Sequence, residues 1–371
     1  MNDVTILVKP ASSLCNMRCD YCFYNDVSEK RKVYSYGIME DATLQAMIQR
    51  AFAFAKRSVS FVFQGGEPTL AGLDFFKKAV AYQQEYAKGG VSVYNSIQTN
   101  GINIDSRWAS FFKENDFLVG VSLDGGALLH DKHRKLSSGE GSYECVMQGI
   151  KALKAHAVPF NILAVISADS AADPNGVYNA LSRYGHLQFI PLIDVAESEK
   201  NGTQIGGAEY GRFLTEIFNL YYRDIFRGKY VSIRDFDCYV NTLQGMPPFS
   251  CSMKGLCGGY FTIEADGSVY PCDFYVTDEY RLGNIKTDSF FTLEKSEVGI
   301  EFIGRSAKLH EDCMACKWYF LCKGGCRRYR DPVSGLNKFC SGYKYFFENT
   351  YEKMLKIVGY VNEQNVKRAK R

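Results

Sequence analysis

Six short runs rich in β-branched or aromatic residues punctuate the first 230 or so residues, with stretches of helical spacing between them. The strand candidates are Thr5–Val8, Val59–Phe63, Val91–Ile97, Leu118–Leu123, Phe160–Ile166 and Leu187–Ile190. Asp41–Lys56, Phe75–Ala87, Tyr143–His156 and Asn175–Tyr184 carry the apolar pattern of amphipathic helices. Strands separated by helices pair parallel, because a parallel partner is reached only through a crossover. Repeated right-handed crossovers curl such a sheet toward a barrel, and six units fall short of the eight that close one. The expected fold class is α/β, a partial (β/α)6 barrel open on one side.

The pattern changes near Val231, after which glycines, short strands and cysteines take over. Phe261–Tyr270 reads as two strands around an Asp266-Gly267 turn, and Tyr343–Val361 returns to helical spacing. The expected division is therefore a barrel over 1–230 and a small cysteine-rich α+β domain with a C-terminal helix over 231–371.

No run approaches the roughly 20 apolar residues of a membrane span. A net charge of +3 with no long basic stripe does not point to nucleic acid. Neither a membrane nor a nucleic acid is an expected partner, and Lys367–Arg371 reads as a frayed basic terminus. Met1 to Lys9 has neither a basic start nor a long apolar stretch, so the cytoplasm is the expected compartment. There the 13 cysteines do not read as a disulfide framework. Their odd count and clustering point to metal binding or chemistry.

Cys15, Cys19 and Cys22 form C-x3-C-x2-C directly after the first strand candidate. Three thiolates on one tight loop can hold three irons of a 4Fe–4S cube and leave the fourth open to a ligand. A structural zinc site would more usually draw four ligands in paired C-x2-C form. Eight further cysteines follow: Cys251, Cys257, Cys272, Cys313, Cys316, Cys322, Cys326 and Cys340. Two complete sets of four is the simplest accounting. A zinc ribbon on Cys313, Cys316, Cys322 and Cys326 alone would leave the other four unexplained. Spacing does not say which cysteine joins which set.

The string Cys15-Asn16-Met17-Arg18-Cys19-Asp20-Tyr21-Cys22 resembles the signature of the radical S-adenosylmethionine superfamily, down to the aromatic residue before its third cysteine. Gln64-Gly65-Gly66-Glu67-Pro68, after the second strand, is a second match. Glycines at a strand end let a ligand approach the backbone closely. The resemblance implies that Gln64, Gly65, Gly66 and Glu67 belong to the stretch that holds the amino group of S-adenosylmethionine. It implies further cofactor contacts from Tyr21, Ser122, Arg134 and Ile193, the last in place of the family's leucine. Ser122 and Asp124 fall at the end of the fourth strand, where parallel sheets gather ligand groups. The Arg134 guanidinium can grip a carboxylate bidentately. His130 and His133, close by, read as solvated loop residues.

The later cysteines resemble the SPASM domain of peptide- and protein-modifying radical enzymes. That resemblance implies interleaved sets: Cys251, Cys257, Cys272 and Cys326 for a first auxiliary cluster, and Cys313, Cys316, Cys322 and Cys340 for a second. With the triplet, three 4Fe–4S clusters are implied. Cys145 reads as a small buried hydrophobe and Cys238 as structural.

Longer strings are more specific: Lys9-Pro10-Ala11-Ser12-Ser13, the run from Phe63 to Gly72, Gln98-Thr99-Asn100-Gly101, and the run from Asp266 to Tyr275. They resemble the anaerobic sulfatase-maturating enzymes. That resemblance implies oxidation of a cysteine or serine in an unfolded sulfatase to Cα-formylglycine, within a Cys/Ser-x-Pro-x-Arg-type motif. A 5′-deoxyadenosyl radical would remove the Cβ hydrogen, and an external one-electron donor such as flavodoxin or ferredoxin would serve the enzyme. Asp273 resembles the family's general base, since a carboxylate directly after Cys272 suits the loss of the remaining proton. Accepting backbone hydrogen bonds in a turn is its alternative role. The alternative function on the same framework is crosslinking or epimerising a ribosomal peptide, which need not keep Asp273 as a base. A non-catalytic electron carrier or zinc module is the alternative from another class. Glu197–Gly207, polar and glycine-rich, departs from the family and is where substrate choice could differ.

Overall fold

The structure is a computed structural model and describes residues 3–87, 89–195 and 201–369. The chain forms two compact units drawn from separated segments. Met1–Leu123, His130–Phe160 and Gly258–Arg305 make the first; Asp124–Leu129, Asn161–Cys257 and Ser306–Arg371 make the second. The boundary near Val231 separates sequence patterns, whereas each unit takes segments from both sides of it. Ten strands occur among the described residues: β1 (Asp3–Val8), β2 (Ser58–Phe63), β3 (Ser92–Thr99), β4 (Leu118–Ser122), β5 (Phe160–Ile166), β6 (His186–Pro191), β7 (Ser232–Ile233), β8 (Tyr260–Ile263), β9 (Ser268–Tyr270) and β10 (Gly283–Asn284).

In the first unit β1, β2, β3 and β4 pair in chain order, all parallel. Helices Asp41–Phe54, Leu73–Tyr86 and Ser106–Glu114 make the crossovers. Leu44, Met47, Ile48 and Ala51 are buried along one face of the first helix, at the spacing that makes such a face. Asp105 starts the third by accepting from the Arg107 and Trp108 N–H groups. Aromatic rings join β2 to these helices: Phe63 lies 5.0 Å from Phe76, and Phe76 lies 5.3 Å from Trp108.

The other edge of β1 takes a strand from far down the chain. β8 lies parallel to it, with Thr5 opposite Tyr260 and Val8 opposite Ile263. β9 folds back on β8, and β10 on β9, both antiparallel. The expected Asp266-Gly267 turn makes the β8–β9 corner, where Gly267, at φ +88°, donates its N–H to the Glu264 carbonyl.

In the second unit β5, from Asn161 onward, pairs parallel with β6, and β6 with β7. Asp173 caps the intervening helix Pro174–Leu181 by accepting from the Gly176 N–H. Two long helices, Gly207–Phe226 and Cys340–Ala369, approach at glycines. A Cβ on Gly342 would overlap the Gly207 carbonyl oxygen, and one on Gly211 would stand 2.6 Å from Gly342 Cα. Phe236 packs 5.0 Å from Phe218 and 5.5 Å from Phe346, stacking on the latter. The last helix starts earlier and ends later than the Tyr343–Val361 that periodicity predicts. Its first turn holds a cysteine and a pressed glycine, neither of which apolar spacing detects. No described helix is long and apolar enough to cross a membrane.

Candidate active site and cluster-ligand cysteines

β1 runs directly into the loop that carries the cysteine triplet. Cys15 and Cys22 are exposed, Cys19 is half-buried, and all three are free thiols. Cys22 is the N-cap residue of helix Phe23–Glu29, and its N–H donates to the Cys19 carbonyl. The segment from His133 to Leu136 laces this loop in place. The Asp20 N–H donates to the His133 carbonyl, the Arg18 N–H to that of Lys135, and Met17 bridges to Leu136. His130 and His133 are buried, which corrects the solvated reading. Each imidazole has a polar partner that lets it leave water: His133 Nδ1 lies 3.1 Å from Asp20 Oδ2, and His130 Nε2 lies 3.0 Å from Ser142 Oγ. The Arg134 guanidinium stands 5.5 Å over the Tyr21 ring, so these two residues are brought together.

The Gly-Gly loop after β2 is shaped by close approach. Gly66 has φ +52°, and a Cβ there would overlap the Leu14 carbonyl oxygen and lie 2.8 Å from that of Ser12. Glu67 is buried, and its carboxylate accepts from Thr69 N (3.0 Å), Thr69 Oγ1 (2.7 Å), Thr99 Oγ1 (2.8 Å) and Asn100 N (2.8 Å). Burial pushes its pKa up, while these donors pull against the rise. Glu67 thus ties the loops that follow β2 and β3. Asn100 then reaches the triplet loop through Asn16 Oδ1, at 2.8 Å. Ser122 closes β4 and accepts from Gln98 Nε2 at 3.2 Å. Asp124 and Ile193 lie in the second unit, both buried, and Asp124 Oδ1 accepts from the Val165 N–H at 2.9 Å.

Cys272 is buried just past β9, and the Tyr260 hydroxyl donates to its Sγ at 3.1 Å. In the second unit the thiols group by folding and not by chain order. Burial, with Cys251 and Cys257 adding to it, pushes the Cys326 thiol up to about 12. Burial, with Cys340, Cys313 and Cys316 adding to it, does the same for Cys322, also to about 12. Cys313, Cys316, Cys322 and Cys340 line one pocket with Trp318, Tyr343 and Phe347. Thiols so raised ionise when a metal takes the proton's place, and soft thiolate sets suit iron–sulfur clusters or zinc. Among the described residues no three His, Cys, Asp or Glu side chains converge as a single ion needs. A four-iron cube asks for one thiolate at each iron instead. Cys145 is half-exposed in helix Tyr143–Ala155, a correction to its buried reading: the buried face runs through Val146, Gly149, Ile150 and Leu153. Cys238 is fully buried. Of Glu197–Gly207, residues 197–200 lie outside the described residues, and a helix starts at Gly207.

Asp273 follows Cys272 and is buried in a connected polar cluster of the first unit. Lys9 Nζ pairs with Asp273 Oδ1, and Gln64 Nε2 donates to Oδ2 at 3.0 Å. Lys9 Nζ also stands 3.6 Å over the Tyr24 ring. The Tyr24 hydroxyl donates to Glu264 Oε1, which Arg31 Nη1 reaches at 2.6 Å. Burial first, and then the Glu264 charge, lift the Tyr24 phenol well above its usual pKa. Sequence reasoning singled out Asp273 and Gln64 here but gave no role to Lys9, Tyr24, Arg31 or Glu264. A lysine directly after the apolar run Ile6–Val8 was an available signal.

The profile of the Radical SAM superfamily matches residues 10–174, and that of an iron–sulfur cluster-binding domain, SPASM, matches residues 256–317. The chain is therefore an enzyme of the radical S-adenosylmethionine type, with the family's partial barrel and cysteine-rich extension. It is 43% identical to a cysteine-type anaerobic sulfatase-maturating enzyme of Clostridium perfringens, over 96% of this chain and 99% of that one. It is 34% identical to a serine-type enzyme of Klebsiella aerogenes, over 93% and 84%. A solved structure described as native anSMEcpe with bound AdoMet and Cp18Cys peptide superposes with a TM-score of 0.91 at 42% identity, covering 97% of this chain and all of that one. The chain belongs to the anaerobic sulfatase-maturating enzymes. SuiB of Streptococcus suis, with a TM-score of 0.64 at 14% identity, shares the fold.

Proposed function

We propose that the protein oxidises a cysteine or serine side chain of an unfolded sulfatase, or of a peptide with the sulfatase motif, to Cα-formylglycine. It would do so in the cytoplasm, fed by a one-electron donor of the flavodoxin or ferredoxin kind. The division into a barrel over 1–230 and a cluster domain over 231–371 belongs to the same reading. Cys15, Cys19 and Cys22 would hold the first 4Fe–4S cluster. Cys251, Cys257, Cys272 and Cys326 would hold the second, and Cys313, Cys316, Cys322 and Cys340 the third. The grouping of Cys326 with Cys251 and Cys257, and of Cys322 with Cys313, Cys316 and Cys340, supports that allocation. When bound, these groups with S-adenosylmethionine supply a 5′-deoxyadenosyl radical that takes one Cβ hydrogen, and a route for one further electron.

The chain's own residues do the rest. Gly65 and Gly66 open the backbone to the cofactor's amino group, with Gln64 beside them and Glu67 keeping their loop shaped. Tyr21, Ser122, Asp124, Arg134 and Ile193 are the proposed cofactor contacts. After the Cβ hydrogen and one electron have left, a serine needs to lose only its hydroxyl proton to become the aldehyde. A cysteine gives the thioaldehyde, which water converts to the aldehyde with release of hydrogen sulfide. Asp273 is the proposed acceptor of that proton. One observation carries this reading: the ion pair that joins Lys9, at the entrance to the triplet loop, to Asp273, the residue after Cys272.

The test is anaerobic incubation with cysteine and serine versions of a sulfatase-motif peptide, read by mass spectrometry. Asp273→Asn keeps the shape but cannot take the proton. 5′-Deoxyadenosine should continue to form while formylglycine falls about a hundredfold or more. Equal losses in both would assign Asp273 to the fold, and an unchanged ratio at normal rate would remove it from the reaction.

A further inference from the structure

We infer that Lys9 is a positioning residue for Asp273, and that it sets how much cofactor cleavage ends in product. The inference rests on the reading of Asp273 as proton acceptor. Lysine is almost never fully buried unless paired, and Lys9 is 0% exposed. Three neighbours close on its side chain. Nζ meets Asp273 Oδ1 at one end and the Tyr24 ring face, 3.6 Å away, at another. Gly65 lies along the stem so closely that a Cβ there would stand 2.8 Å from both Cγ and Nζ. The Lys9 backbone is fixed as well, since its N–H donates to the Ile263 carbonyl at 2.9 Å. Ile263 ends β8, and the same hairpin delivers Cys272 and Asp273. Main chain and side chain of one residue therefore grip both ends of the hairpin that carries the carboxylate.

Gln64 holds the second oxygen of that carboxylate from the neighbouring loop, at 3.0 Å. With one donor on each oxygen, the carboxylate plane is set by residues at the ends of β1 and β2. An ammonium has donors and no lone pair, so Lys9 paired in this way holds the acceptor and does not relay the proton. A buried ion pair is a poor device for stability alone, because well-packed apolar residues often replace one without loss. Its use here is orientation. Misplacing a reacting group by about 1 Å costs on the order of a hundredfold in rate.

The experiment uses the full chain with its clusters reconstituted anaerobically and a Cys-x-Pro-x-Arg peptide as substrate. Lys9→Met keeps length and apolar stem while losing the charge and the donors. Lys9→Arg keeps a buried cation for the fold, but its longer planar head cannot meet Oδ1 from the same place. Both should retain the iron content and most of the 5′-deoxyadenosine production of the native chain. Formylglycine per 5′-deoxyadenosine should fall between about tenfold and a hundredfold. A native ratio in both variants overturns the inference. So does parallel loss of iron, cleavage and product in both, which would make Lys9 purely structural. Asp273→Asn is run alongside to separate the two ideas. A low ratio there with a native ratio at Lys9 sinks the inference alone, and a native ratio at Asp273 sinks the reading beneath it.

Discussion

Gly66 is the residue at which the smallest change should do the most damage. Its φ of +52° strains any other residue, and a Cβ would strike two backbone carbonyls, those of Leu14 and Ser12, which cannot swing aside as a side chain can. Leu14 precedes Cys15, so the strain is delivered to the triplet loop. Gly66→Ala should keep the far-ultraviolet circular dichroism of the native protein while 5′-deoxyadenosine production falls at least about tenfold; native production would show that the loop yields. The sequence singled out this position, the cysteine triplet and Asp273, because each sits in a short local string whose chemistry depends on neighbours in the chain. The lysine that pairs with Asp273 was not singled out. Lys9 and Asp273 are 264 positions apart, and Arg31 and Glu264 are 233 apart, so no window of sequence holds both members. The burial of His133 was hidden for the same reason: it is 113 positions from Asp20, the carboxylate it faces.

At the scale of elements, the β8–β9 hairpin and the two long helices carry the consequences. Arg31 pairs with Glu264 of the hairpin, and both side chains are 0% exposed. Arg31→Met alone leaves a buried carboxylate without its cation and should cost about 3–5 kcal/mol, measured by denaturant unfolding under anaerobic conditions. Adding Glu264→Gln should recover much of that loss, because the stranded charge goes with it. Additive losses would mean that the pair does not interact. The hairpin itself could be read from its Asp-Gly turn, but its seat against β1 could not, since parallel pairing leaves no mark in the turn. The helix approach at Gly207, Gly211 and Gly342 was likewise hidden. Glycine there reports a missing side chain on someone else's behalf, and apolar periodicity passes over it. Gly342→Val should destabilise by at least about 1–3 kcal/mol through overpacking. Because Cys340 begins the same helix, the variant should also bind less iron than the native chain. Native iron content and stability together would show that the helices separate freely.

For the molecule as a whole, the proposed ligand sets predict how iron is apportioned. The reconstituted native chain should hold about twelve irons, four for each cluster. Replacing Cys15, Cys19 and Cys22 together by Ala should leave about eight and abolish S-adenosylmethionine cleavage. Iron analysis with a cleavage assay checks both numbers on one sample, and residual cleavage would place the open iron elsewhere. The pairing of β1 with β8 has a separate consequence, which concerns how the chain is made. Thr5 finds Tyr260 only after the ribosome has added 255 further residues, Tyr260 the last of them. At about 5–20 residues per second, one side of the first strand waits roughly 10–50 s for its neighbour. Through that interval an apolar strand with free N–H and C=O groups is open to pairing with other chains. Nascent chains released before Tyr260 should therefore aggregate where the finished protein does not.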